Sequence, residues 1–313
     1  MFHEWMGGLG LSNCSSILYD TSMHILFIHN PTSGKGIKKK KLDYILKALK
    51  EIDSDFEFIV SQSKEDFISL VKTSCGKYDY LIISGGDGSV NMTVNAIAEE
   101  AQAPVLGFIP TGTCNDACKN YGIDSNVKHC IEIIKRGNVE GFDILKCNHH
   151  YCVFAMAIGG VAAIPYQTTK KGKRKLGVLA YYLRGIGKMF KPSRVHGTAI
   201  FKDGKIVVFD VPFVIVLNTS HIGGYNVNPS SKVQDGKFDL FLSPIRRQVP
   251  ALFSFLFHSH KIPHYQVSEV LIESDCQDEW DIDGEKGEKG TMKIEIIKKG
   301  IRVLSDPNRK HIG

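Results

Sequence analysis

The stretch Tyr80-Leu81-Ile82-Ile83-Ser84-Gly85-Gly86-Asp87-Gly88-Ser89-Val90-Asn91 runs from an apolar segment through a glycine cluster into polar, helix-compatible sequence. Residues 80–83 predict a short buried strand, the glycines predict a turn, and residues 90–101 predict a helix. The same unit recurs on both sides. Upstream, residues 24–29 predict a strand followed by a glycine-rich turn. Residues 37–52 follow as a helix with Leu42, Ile45, Leu46 and Leu49 on one face. Glu57–Val60 predicts a second strand and residues 64–74 a second helix. Downstream, residues 105–109 predict a fourth strand running into Pro110. Alternating strands and helices of this kind predict a parallel sheet covered by helices.

After Asp143 the pattern changes to short strands separated by turn signals such as Asp203-Gly204. Strands are expected at 153–158, 195–201, 206–209, 213–218, 237–242, 267–274 and 292–298, with a helical insertion at about 176–189. This predicts an antiparallel β domain. The expected organisation is an α/β domain over 23–143, rejoined by about 301–313, and a β domain over 144–300. Residues 1–22 are an N-terminal extension, with disorder or an upstream start as the options.

Of 313 residues, 43% are hydrophobic and 23% charged, enough for a substantial core. The net charge of +6 suits a polyanionic ligand or an anionic membrane without choosing between them. The eight cysteines form no CxxC pair and read as reduced thiols of a cytosolic protein. Cys147-Asn148-His149-His150-Tyr151-Cys152 reads as two strands around a turn rather than a metal cluster. No segment reaches the about 18 apolar residues of a membrane span, and residues 1–22 make a poor signal peptide.

Three glycine-rich loops follow three strands of the first domain: Asn30-Pro31-Thr32-Ser33-Gly34-Lys35-Gly36, Gly85-Gly86-Asp87-Gly88-Ser89 and Pro110-Thr111-Gly112-Thr113-Cys114-Asn115-Asp116. Strand ends in a parallel sheet share a crevice, glycine lets amides turn toward an anion, and a helix start adds positive dipole. Together they predict a nucleotide phosphate site with Lys35 as a phosphate partner. The first loop lacks the spacing of a Walker A motif. A triphosphate site needs magnesium, which prefers carboxylates and water, so Asp87 and Asp116 are candidate site residues. Taken singly, Asp87 reads better as a turn or N-cap residue and Asp116 as a helix N-cap.

In this order, Asn30–Gly36, residues 85–91 and residues 106–116 resemble the catalytic domain of diacylglycerol and sphingosine kinases, especially small bacterial lipid kinases. The resemblance extends over Asp143, Asp235-Gly236-Lys237-Phe238-Asp239-Leu240 and Asp283-Gly284-Glu285. It implies an NAD-kinase-like α/β domain, a β-sandwich, and an active cleft between them. It implies that ATP meets Asn30, Pro31, Thr32, Ser33, Gly34, Gly86, Asp87, Gly88, Ser89, Val90, Asn91, Met92 and Thr113, with Ser61 nearby. It implies Glu285 as general base, with Asp87 the rival. Asp235 and the carbonyls of Lys232 and Lys237 would hold a structural Mg²⁺, linked through water to Asp143 and Asp116; a second Mg²⁺ would bridge the phosphates near Asp87.

Several positions depart from the family pattern, including Ala117-Cys118-Lys119 where the family has Phe-Ala-Arg. Ser89 replaces Thr and keeps the hydroxyl, Met92 replaces Glu and removes a carboxylate, and Lys119 replaces Arg and loses its fork. The implied reaction is phosphorylation of diacylglycerol by ATP. The alternatives are a sphingosine or other long-chain-base kinase, and a nucleotide- or lipid-binding regulator without turnover. Such a substrate implies a cytoplasmic enzyme that touches the membrane peripherally. Lys170-Lys171-Gly172-Lys173-Arg174-Lys175 and the apolar run after it fit that contact. No nucleic-acid module is present; a homodimer is left open.

Overall fold

The computed structural model describes residues 24–34, 36–160, 194–222, 225–228, 231–243, 245–247, 250–251, 254–255, 262 and 264–309. The extension 1–22, Lys35, the basic run 170–175 and the helical insertion 176–189 lie outside the described residues. The first part alternates as expected: β1 (Ile25–His29), α1 (Lys39–Ile52), β2 (Glu57–Val60), α2 (Lys64–Thr73), β3 (Tyr80–Gly85), α3 (Asp87–Ile97) and β4 (Val105–Pro110), then α4 (Asp116–Asn120) and α5 (Val127–Arg136).

β1 pairs in parallel with β2 and β3, and β3 with β4. β1 and β4 are buried along their whole length, as strands covered on both faces must be. The helices start where side chains satisfy their free amides. Ser63 Oγ accepts from Asp66 N at the head of α2, and Asn126 Oδ1 accepts from Lys128 N at the head of α5. α5 ends on Gly137 in the left-handed region. One boundary differs from the sequence reading: α3 begins at Asp87, not Val90, because Gly86 already carries the extended N-cap geometry.

The β region comprises β5 (Val139–Cys147), β6 (His150–Cys152), β7 (Ala155–Gly159), β8 (Val195–Phe201), β9 (Ile206–Val211), β10 (Phe213–Leu217), β11 (His221–Ile222), β12 (Tyr225–Asn226), β13 (Phe238–Leu242), β14 (His264–Val267), β15 (Glu269–Ser274), β16 (Glu279–Ile282), β17 (Glu285–Lys289) and β18 (Met292–Leu304). A six-stranded antiparallel sheet, β14-β13-β10-β7-β16-β17, faces the antiparallel half of a ten-stranded sheet. Trp280, Phe238, Met156 and Val214 meet Leu145, Val270, Ile272 and Ile294 in the shared core. This is the expected sandwich.

The sandwich is not a separate sheet system. The larger sheet runs β2-β1-β3-β4-β18-β15-β8-β9 and so continues the parallel strands of the first part. β18 is the connection. Residues 292–295 pair with β15, whereas Val303 lies beside Leu106 of β4. Its ladder with β5 is interrupted between Ile297 and Ile301, where Lys299 takes φ +51°. The strand expected at 153–158 starts only at Ala155, as β7. The N–H groups of Val153, Phe154 and Ala155 turn onto the Asp283 carboxylate.

Candidate active site

The three glycine loops meet at the ends of β1, β3 and β4, backbone against backbone. A Cβ built on Gly34, at φ +54°, would lie 2.0 Å from the Thr111 carbonyl oxygen. One on Gly86 would lie 2.9 Å from Gly112 Cα, and one on Gly112 would lie 2.7 Å from Gly86 Cα. At these three positions no side chain fits without moving a neighbouring backbone. Gly88, in the first turn of α3, differs: its Cβ would meet nothing within 4 Å. The loops are pinned further by Asn30, whose Nδ2 donates to Ser89 Oγ at 3.0 Å and whose Oδ1 accepts from Thr32 N and Oγ1. Ser61 is buried, with its N and Oγ both directed at the His29 carbonyl. Val90 is in the core, so only its backbone is available to a ligand.

Asp87 Oδ2 accepts from Asn115 N at 2.8 Å, and Oδ1 accepts from Ala117 N at 3.0 Å. It therefore caps α4 from a different helix. Burial pushes its carboxyl up to about 6, with the neighbouring charge of Asp116 adding to the rise and the two amides opposing it. Asp116 is buried and pairs with Lys119 at 3.1 Å. Asp87 and Asp116 thus lie in one electrostatic neighbourhood. Thr111 Oγ1 and Asn115 Oδ1, in the loop between them, are buried without a hydrogen-bond partner. Thr113 occupies the same loop.

Glu285 opens β17. Asp283 (φ +52°) and Gly284 (φ +86°) form the two-residue turn of the β16–β17 hairpin, a geometry that favours Asp-Gly. Glu285 Oε2 lies 3.2 Å from Lys64 Nζ, and both side chains are about half exposed. Together they line a cleft of about 270 Å³ with Met92, Asn95, Tyr151 and Ile282. Asp283 is no mere turn residue. Its buried carboxylate accepts from Asn91 Nδ2 and three successive backbone amides. Burial pushes its carboxyl up, against the pull of those donors.

The remaining candidates gather elsewhere. Asp143 is buried and accepts from Gly236 N and Lys299 N, both at 2.8 Å. Asp235 Oδ1 accepts from Lys237 N at 3.0 Å. Asp235, Lys232 and Lys237 thus belong to a turn fastened to Asp143. Among the described residues, no group of three or more His, Cys, Asp and Glu side chains is arranged to hold a metal, and no helix is long and apolar enough to cross a membrane.

The profile of the diacylglycerol kinase catalytic domain matches residues 24–147. A diacylglycerol kinase of Staphylococcus saprophyticus is 29% identical over 289 residues, covering 90% of this chain and 94% of that one. A diacylglycerol kinase of Staphylococcus aureus is 31% identical over 217 residues, or 69% of each chain. The chain belongs to the diacylglycerol kinase family. It is thereby a lipid kinase. The crystal structure of a diacylglycerol kinase from Bacillus anthracis superimposes with a TM-score of 0.77 at 26% identity, covering 91% of this chain and 98% of that one. For this family member the departures have visible consequences. Met92 puts a thioether on the cleft wall near Glu285, and Lys119 still reaches Asp116. Sequence reading missed Lys64, Asn95 and the anchoring part of Asp283. Only the Asp283-Gly284 turn signal pointed near them.

Proposed function

We propose that the protein transfers the γ-phosphoryl group of ATP to the hydroxyl of diacylglycerol, giving phosphatidic acid. The observation that carries this reading is the course of α3. It starts at the interlocked glycine loops and, about 7 Å further along at 1.5 Å per residue, lines the cleft that holds Glu285. Phosphates at the open Gly86–Ser89 helix start would lie within reach of an acceptor hydroxyl in the cleft. Backbone amides and the helix dipole would bind them there, with Asn30–Gly34 and Thr113 beside the nucleotide.

Glu285 is the better proton acceptor of the two candidates. It faces the cleft, whereas both oxygens of Asp87 already serve α4. Lys64 Nζ pairs with it at 3.2 Å. Ile68, Met92, Ala96 and Ile282 give the cleft apolar walls suited to the glycerol end of a lipid. Magnesium fits the other end by donor chemistry: Asp87, Asp116, Thr111 Oγ1 and Asn115 Oδ1 are all hard oxygen donors. Asp87 and Asp116 would hold it, and it would neutralise phosphate charge. Asp235 and the carbonyls of Lys232 and Lys237 would hold a structural one. A substrate that stays in the bilayer requires peripheral membrane contact.

Glu285→Gln tests the reading. Removing a positioned base costs about 10²–10⁴-fold in rate, so kcat should fall by that factor with ATP affinity unchanged. Normal turnover by Glu285→Gln would return the role of base to Asp87.

A further inference from the structure

One polar stripe of α3 is engaged by neighbouring elements. Asp87, Asn91 and Asn95 recur at one-turn spacing and so lie along a single stripe. Asp87 caps α4, as described. Asn95 makes a two-point contact with one residue of β6: its Nδ2 donates to the Tyr151 carbonyl at 2.9 Å, and its Oδ1 accepts from Tyr151 N at 2.8 Å. Asn91 Nδ2 donates to Asp283 Oδ2 at 2.9 Å and approaches the Tyr151 carbonyl at 3.4 Å. Asn91 is 7% exposed and Asp283 is 6% exposed, so this contact is shielded from water. A shielded, charge-assisted hydrogen bond is short and directional. Asp283 in turn holds the start of β7 through three amides, and it occupies the turn that ends at Glu285 two residues on.

We infer that Asn91 is a positioning residue for Glu285: through Asp283 it fixes the turn that aims the carboxylate to the helix that receives the phosphates. This rests on Glu285 being the proton acceptor. The residue type suits the task. An amide offers Asp283 a donor without a second charge; an aspartate would repel it, and an alanine would leave one carboxylate oxygen with a donor fewer. The geometry also separates Asn91 from the nucleotide. Its amide leaves α3 toward the joint with the β region, while the phosphate end of the helix is formed by Gly86–Ser89. In phosphoryl transfer, where alignment contributes most of the catalysis, an error of about 1 Å in such a mount costs on the order of 10²-fold.

The test is a double-mutant cycle on the full chain: wild type, Asn91→Ala, Glu285→Gln and the double variant. ATP affinity is measured by direct binding, and kcat and lipid KM by label transfer into diacylglycerol micelles. Asn91→Ala should lower kcat by about 10- to 100-fold while ATP affinity stays within about twofold. In the Glu285→Gln background it should cost less than about twofold, because the group it positions is already gone. A purely structural role would instead slow both backgrounds equally, and that result would overturn the inference. So would a loss of ATP affinity above about tenfold in a variant with an unchanged thermal midpoint. If Asn91→Ala does not fold, Asn91→Ser, which keeps a hydroxyl at the joint, takes its place in the cycle. Wild-type turnover by Glu285→Gln alone would remove the base itself, and this inference with it. An impaired Glu285→Gln with additive effects would overturn only the part played by Asn91.

Discussion

Two glycines in adjacent loops predict opposite phenotypes when each is replaced by alanine. Gly34 sits at φ +54° with the Thr111 carbonyl oxygen 2.0 Å from where a Cβ would be. The left-handed conformation alone costs about 1–2 kcal/mol for an L-residue. Contacts under 3 Å must also be relieved, which requires the loop after β4 to retreat from the loop after β1. Gly34→Ala should therefore lower the thermal midpoint and disperse the phosphate site together. Gly88 lies in the first turn of α3 with nothing within 4 Å of its Cβ position. There alanine should stabilise the helix by about 0.5–1 kcal/mol through lower unfolded-state entropy. The added methyl would nevertheless project into the space reserved here for phosphate. Gly88→Ala should show an unchanged or slightly raised midpoint and at least a tenfold loss of ATP affinity, about 1.4 kcal/mol. Thermal unfolding and nucleotide titration on both variants give the answer. Wild-type ATP affinity in Gly88→Ala would refute phosphate binding at this helix start. Wild-type stability in Gly34→Ala would refute the interlocking of the loops.

Asp87 carries a pH signature. Its carboxyl rises from 3.8 to about 6 on folding, so the folded state holds the proton more tightly. The stability this contributes is complete below about pH 4 and is lost as pH rises through 6, in total about 3 kcal/mol at about 1.4 kcal/mol per pH unit. The unfolding free energy of wild type minus that of Asp87→Asn should therefore fall between pH 4 and pH 7; a flat difference would contradict the buried-carboxylate account. Asp283→Ala strands buried amides that each cost about 1–3 kcal/mol unpaired, so urea unfolding should show a loss above about 3 kcal/mol. A loss under about 1 kcal/mol would mean the joint rearranges freely. Lys64→Met breaks a half-exposed pair of the kind typically worth under about 1 kcal/mol. Its midpoint should barely move, and a large drop would make the pair structural.

The first sheet was readable from sequence because its signals are local. Apolar runs such as Ile25–His29 and the glycine turns that follow them act within a few residues. The glycine loops were readable as a site for the same reason, since turn chemistry and strand order place them together. What was hidden depends on distant partners. Residues 292–298 read as a sandwich strand and about 301–313 as a return to the first domain, but nothing local announces that one strand, β18, makes both connections. Lys64 meets Glu285 221 residues away. Asp283 gave a correct turn signal that concealed its second task, because its burial is created by Asn91 and the amides of 153–155. Asn91 read as an ATP contact within the phosphate motif, and only the direction of its side chain reveals its bond to Asp283.

The central claim is acceptor phosphorylation in the cleft beside α3. It is tested most directly by incubating the wild-type protein with γ-labelled ATP, magnesium and a panel of lipid alcohols in mixed micelles, then separating the lipids. Label should appear in phosphatidic acid, formed faster from diacylglycerol than any product from a long-chain base and absent without the lipid. Tight ATP binding with no label in any lipid would contradict it and identify the protein as a nucleotide-binding member of the family without turnover.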